Sequence, residues 1–232
     1  MKLAALLLFA SCAAAAEPAA RRSGDGAPVV YELFTSQGCS SCPPAERVLS
    51  AIAADGSIRG RKVVPLAFHV DYWNDLGWAD PFSRQAWSAR QLAYARARDP
   101  YTPQAVIAGA TDALGSDRDA IARAVAAAPA MIAIDAKALR KDNTLRVTAT
   151  APKDADVWVA VWQDGVATDI RRGENAGAHV VEDRIVRALV KVAPAGATRS
   201  ADLEIDPNWK RIGAVAFAQR PDLAIIGATV LE

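Results

Sequence analysis

Two cysteines three positions apart, Cys39 and Cys42, carry the clearest chemistry in this chain. C-x-x-C spacing lets two sulfurs meet, and where the pair opens a helix the N-terminal peptide dipoles stabilise a thiolate. Dithiol–disulfide exchange needs that arrangement. Cys39 is expected as the exposed, attacking thiol and Cys42, one turn inward, as the thiol that resolves the mixed disulfide. A structural disulfide and half of a metal site compete for the same two residues. A tetrahedral zinc site lacks ligands, because apart from Cys12 the chain offers only His69 and His179 beyond the pair.

The elements that must position the pair can be read on either side of it. Val29-Val30-Tyr31-Glu32-Leu33-Phe34 is a short apolar run and predicts a strand. A Thr/Ser/Gly turn follows, then Cys39-Ser40-Ser41-Cys42-Pro43-Pro44. Prolines suit a first helical turn, where their missing N–H has no partner anyway, and Val48, Leu49 and Ile52 give that helix a core stripe. Residues 62–70 predict a second buried strand, 71–81 a Trp-rich loop and 83–98 a helix. Tyr101-Thr102-Pro103 leads into a short strand at 104–108. A hairpin turns through Gly109 toward Leu114, and Ser116 or Asp117 can cap a helix to about residue 128. The order is β-α-β-α-β-β-α.

After Pro129 the pattern changes to alternating runs at 132–139, 145–150, 157–162, 166–170, 185–192, 203–205, 212–218 and 224–230. Asp164-Gly165 predicts a hairpin between two of them. Strands at this spacing without helical interludes predict an antiparallel sandwich, with the boundary near residue 130.

Composition sets the setting. Met1 to Ala16 reads as one charge, Lys2, and then a Leu/Ala run closing in Ala14-Ala15-Ala16. That is a secretory signal too short to span a membrane, so a periplasmic or secreted location is expected. Cleavage there removes Cys12 and leaves Cys39 and Cys42 in an oxidising compartment. It also removes Lys2 and takes the formal charge from +1 to 0, which speaks against a nucleic-acid partner. No transmembrane segment is expected. A lipoprotein reading competes, since Leu8-Phe9-Ala10-Ser11 precedes Cys12. Residues 17–27 form a polar, turn-rich lead expected to be disordered.

Several residues are candidates to surround the dithiol. In thioredoxin-like folds a cis-proline lies beside the dithiol and its backbone pairs with an extended substrate; Thr102-Pro103 stands where such a proline would. The loop leaving the second strand brings His69, Asp71, Tyr72, Trp73 and Trp78 to the sheet edge that carries Cys39. His69 reads either as a proton shuttle or as a buried strand-end residue, with the tryptophans as core. Glu32 reads either as a buried carboxylate relaying a proton to Cys42 or as an arginine partner on the solvent face. The loop from Gly173 to Gly177, with Glu174 and Asn175, reads first as a glycine-rich structural turn and second as a cover over the thiols.

The stretches Glu32 to Glu46, Ala67-Phe68-His69-Val70-Asp71-Tyr72-Trp73, Tyr101-Thr102-Pro103-Gln104 and Arg172-Gly173-Glu174-Asn175-Ala176-Gly177 resemble the bacterial secreted family catalogued as domain of unknown function 1223. The resemblance implies a thioredoxin-like fold. The expected architecture is therefore an α/β thioredoxin-like domain (28–130) followed by an all-β antiparallel sandwich-like domain (131–232). Two departures from ordinary thioredoxins stand out: Gly38 replaces an aromatic residue, and Ser40-Ser41 separates the cysteines. With no basic residue in the loop, an extreme oxidant is not expected.

The function expected is that of an exported thiol–disulfide oxidoreductase acting on protein or peptide thiols and disulfides. Cys39, Cys42, Thr102, Pro103, Glu32, His69 and Asp71 form its site, with no cofactor and no metal. Two other classes stay open. One is a copper(I) metallochaperone similar to the Sco type, with Cys39, Cys42 and His69 as ligands. The other is a non-catalytic binding module stapled by its disulfide.

Overall fold

Val29–Thr35 forms the first strand, β1, and every one of its residues is buried, as expected of a strand covered on both faces. The computed structural model describes residues 26–95 and 99–231. The segment 1–16 expected to be an export signal, with Cys12 in it, residues 17–25 of the lead and residues 96–98 of the second predicted helix lie outside the described residues.

From β1 the chain turns through the cysteine loop into α1 (Pro43–Asp55), which begins on two prolines and ends at Gly56 in the left-handed conformation, φ 64°. β2 (Ser57–Ile58), β3 (Arg61–His69), α2 (Gln85–Ala95), β4 (Gln104–Ile107), β5 (Thr111–Leu114) and α3 (Arg118–Ala127) follow. The Asp117 side chain caps α3 by accepting from the Ala120 N–H. The remaining chain is all strand: β6 (Ala136–Lys141), β7 (Thr144–Thr150), β8 (Asp156–Gln163), β9 (Val166–Asp169), β10 (His179–Glu182), β11 (Ile185–Ala193), β12 (Thr198–Glu204), β13 (Ile212–Gln219) and β14 (Ile225–Leu231).

The expected α/β thioredoxin-like domain followed by a separate antiparallel sandwich is overturned. The structure is mostly β and is built on one large mixed sheet that runs through both halves in the order β14-β13-β8-β11-β3-β1-β4-β5, with β2 paired to β3. β1 and β3 run parallel, from Val29 opposite Val63 to Thr35 opposite His69, and β4 lies antiparallel to β1. The outer edge of β3 is closed by β11, with Ile185 opposite Ala67 and the Ala67 N–H bonded to the Arg184 carbonyl at 2.8 Å. An uncovered β3 edge would present unpaired backbone groups; β11 supplies a partner at Ala67 and β2 pairs the start of the strand at Arg61 and Lys62.

The cores follow the same continuity. Val30, Phe34, Val64, Leu66, Phe68 and Trp87 from the first half pack in one cluster with Ala160, Trp162, Val186, Val215 and Phe217 from the second. On the opposite face α1 and α3 cover β1, β3 and β4. There the sheet β12-β7-β6 covers β8 and β13, Val147 and Ala149 packing with Val157 and Val159.

The Asp164-Gly165 turn does not form the predicted hairpin. β8 pairs with β11 and β13, while β9 pairs only with β10, a strand the alternation pattern did not reveal. The Asp164 carboxylate accepts from the Arg184 N–H and Asp183 from the Gly165 N–H. These bonds send β9 and β10 out of the main sheet as a separate two-stranded hairpin.

Candidate functional site

β1 ends at Thr35, and the loop that follows makes two tight turns, with the Cys39 N–H bonded to the Ser36 carbonyl and the Cys42 N–H to the Cys39 carbonyl, each at 3.1 Å. The cysteines are joined as a disulfide, Cα to Cα 5.4 Å. The expected contrast between an exposed Cys39 and a shielded Cys42 does not hold: both are fully buried, and only Ser40 and Ser41 between them reach solvent. Trp73 packs on one side, so close that a Cβ on Gly38 would lie 3.2 Å from its own. A side chain before Cys39 would require Trp73 to shift.

The Thr102–Pro103 peptide is cis. Its segment lies against the cysteine loop: the Ser41 hydroxyl is 3.5 Å from the Thr102 carbonyl, at the outer limit of a hydrogen bond, and the Trp73 indole N–H donates to Thr102 Oγ1 at 2.9 Å. On the other side the Pro103 carbonyl accepts from Gly115 at 2.9 Å.

Behind the loop lies a buried acid–base cluster. His69, at the end of β3, has Nδ1 2.7 Å from Asp80 Oδ2 and Nε2 3.9 Å from Glu182 Oε1. Burial pulls the imidazole pKa down, but the charges of Asp80 and Glu182 outweigh it and hold it at about 9. The same burial pushes the Glu182 carboxyl up to about 8, against the pull of His69. Glu46, on the first turn of α1, is also raised by burial, and Thr35 donates to it at 2.7 Å. For Asp80 burial acts upward, and His69 together with the Gln37 and Phe82 N–H groups holds the carboxyl below its ordinary range. Gln37 ties the cluster to the cysteine loop: its backbone N–H donates to Asp80 at 2.8 Å, its side-chain Nε2 donates to Glu182 at 2.6 Å, and the Trp78 indole N–H donates to its side-chain Oε1 at 3.0 Å.

Of the residues expected at the site, Cys39, Cys42, Thr102 and Pro103 come together, and His69 lies one layer behind them through Gln37. Glu32 does not join them. It projects into the opposite face of β1 from α1, where Arg90 Nε donates to it at 2.6 Å and the Tyr94 hydroxyl at 2.5 Å. It has its arginine, but in the core rather than in solvent. Asp71 also turns away, accepting from Ser88 on α2. Among the described residues no group of three or more His, Cys, Asp or Glu side chains is placed to hold a metal ion, and the His69 ring faces Asp80 and Glu182. Gln37, Asp80, Glu46 and Glu182 were not foreseen. Gln37 and Asp80 lie in the two edge loops and carried a positional signal; Glu182, 145 residues from Gln37, carried none.

The loop of residues 173–177 does fold over the cysteine loop. Asn175 Nδ2 donates to the carbonyls of Gln37 and Cys39, both at 2.9 Å, and Glu174 accepts from the Ser40 N–H at 3.1 Å.

This architecture is shared with solved structures. The X-ray crystal structure of protein AGR_C_4864 from Agrobacterium tumefaciens is 29% identical, with a TM-score of 0.69 over 89% of this chain and 94% of that one. HBP35 of Porphyromonas gingivalis, 15% identical, has a TM-score of 0.61 over 88% of this chain and 74% of that one, a likeness of fold alone. No curated protein matches the chain. The family model described as "Protein of unknown function (DUF1223)" matches residues 30–219, which takes in the cysteine loop, the cis-proline, the acid–base cluster and the covering hairpin, and the chain belongs to that family.

Proposed function

We propose that this protein is an exported thiol–disulfide oxidoreductase that works through Cys39 and Cys42 on protein or peptide thiols and disulfides. The observation that carries the reading is the bonded pair at the start of α1 with the cis Thr102–Pro103 segment against it. In the oxidising direction a substrate thiolate attacks Cys39 Sγ, the Cys39–Cys42 bond breaks and Cys42 leaves as the thiolate. A second substrate thiol then displaces Cys39, so the substrate gains a disulfide and the protein holds two thiols. The reducing direction reverses each step.

A structural staple is the second reading, and the full burial of both cysteines favours it. Turbidity of insulin with dithiothreitol separates the two. Exchange activity predicts faster precipitation with the wild type, loss of the effect in Cys39→Ser, and a trapped mixed disulfide on Cys39 in Cys42→Ser. No acceleration by the wild type, with a disulfide that dithiothreitol opens only when the protein is unfolded, would assign the pair to stability.

A further inference from the structure

The β9–β10 hairpin reaches back over 134 residues of chain to place a carboxylate on the cysteine loop, Glu174 Oε2 lying 3.1 Å from the Ser40 N–H. Its neighbour Asn175 grips the same loop by the carbonyls of Gln37 and Cys39. The tip is seated at backbone distance: a Cβ on Gly77 would lie 3.2 Å from Gly173 Cα, and one on Gly173 3.1 Å from Trp78 Cβ.

Amide donors are scarce where a thiolate would form. α1 starts on Pro43 and Pro44, which have no N–H, and the Ala45 and Glu46 N–H groups both go to the Cys42 carbonyl. The Cys42 N–H goes to the Cys39 carbonyl. Ser40 therefore holds one of the few amide hydrogens beside Cys39, and Glu174 occupies it. The Ser40 bond keeps the Glu174 carboxyl below its ordinary range, so it is ionised at neutral pH. A negative charge there opposes a second one on Cys39 sulfur, where an open helix N-terminus would have favoured it.

We infer that Glu174 and Asn175 are positioning residues that set the redox poise of the pair, favouring the disulfide by clamping its loop and by opposing a Cys39 thiolate. The inference rests on the exchange reading for its biological use. When two glutathione thiols reduce the pair, one glutathione disulfide forms and Cys39 and Cys42 become thiols. Ionisation of Cys39 then releases its proton to solvent and sets its charge against Glu174, which loosens the hairpin tip and opens the sulfur.

The test equilibrates the full chain, as wild type, Glu174→Gln and Asn175→Ala, in glutathione buffers and reads the reduced fraction from alkylated mass. Loss of a charge at a helix end predicts an equilibrium constant moved about two- to five-fold toward the dithiol in Glu174→Gln, or about 10 to 20 mV less negative. In a Cys42→Ser background the same change should lower the Cys39 thiol pKa, read from the pH dependence of iodoacetamide alkylation. Both effects should shrink in 1 M salt, where the screening length is about 3 Å. Asn175→Ala should speed alkylation of Cys39 at a fixed thiolate fraction. A Glu174→Gln protein folded by circular dichroism, with wild-type potential and wild-type Cys39 pKa, overturns the inference. The equilibrium is readable whether or not the wild type accelerates insulin reduction, so its failure is distinct from failure of the exchange reading.

Discussion

Raising the pH from 6.5 to 9 should weaken this fold by stripping the proton from His69. The imidazole is buried with Asp80 at 2.7 Å and Glu182 at 3.9 Å, and it titrates at about 9 against 6.5 for the free side chain. A folded-state pKa above the unfolded one means that the stabilisation is complete below 6.5 and is lost as the pH rises through 9. At 1.36 kcal/mol per pH unit that gap is worth about 3 kcal/mol, a large part of the 5–15 kcal/mol that a domain typically has. Glu182 acts with the same sign at lower pH. Its carboxyl titrates at about 8 in the fold and at 4.5 when free, so stability declines between those values as the unfolded chain releases a proton that the folded chain keeps. Urea unfolding at pH 6, 7.5 and 9 reads the effect; with a slope of about 3 kcal/mol/M, 3 kcal/mol moves the midpoint by about 1 M. His69→Gln should remove the part between 6.5 and 9 and should itself cost about 3–5 kcal/mol, because the buried Asp80 carboxylate loses its cation. A wild-type midpoint that stays level from pH 6.5 to 9, or an equal decline in the variant, would refute this account.

Two further outcomes follow from the packing. Arg90→Met strands the fully buried Glu32 without its cation and should destabilise the fold by about 3–5 kcal/mol in urea; the Cys39–Cys42 potential should stay at its wild-type value, because Glu32 faces away from the dithiol. Gly115→Ala puts a Cβ 2.6 Å from Leu33 Cδ1, 3.0 Å from Ala45 Cβ and 3.1 Å from Pro103 Cβ. Overpacking there should cost about 1–3 kcal/mol in thermal or urea unfolding.

What the residue order determined by itself is local. Apolar runs, prolines at a helix start and a capping aspartate each act within a few positions, so β1, α1, β3 and α3 and the placement of Cys39 and Cys42 at the start of α1 are written in their own segments. Thr102-Pro103 could be assigned from its place after the C-x-x-C and directly before a short strand, because an X-Pro amide prefers trans by only about 0.5–1 kcal/mol and its setting can reverse that. Even the eight alternating runs after Pro129 mark where strands lie, with β12 starting earlier and β6 later than the pattern suggests.

Pairing was decided by the tertiary structure, since period-2 alternation states that a strand has two faces and is silent on which edge it meets. β11 met β3, so two expected units became one sheet. β9 met β10 instead of β8, and the Asp164-Gly165 turn became the exit of a hairpin. That hairpin brought Glu182 to His69, and Glu174 and Asn175 to the cysteine loop, across more than a hundred residues. Glu32 met its arginine from α2, 58 residues along the chain. A side chain's exposure and its charge partner are properties of the assembled neighbours, and those are chosen by the free energy of the whole chain rather than by the segment that carries the residue.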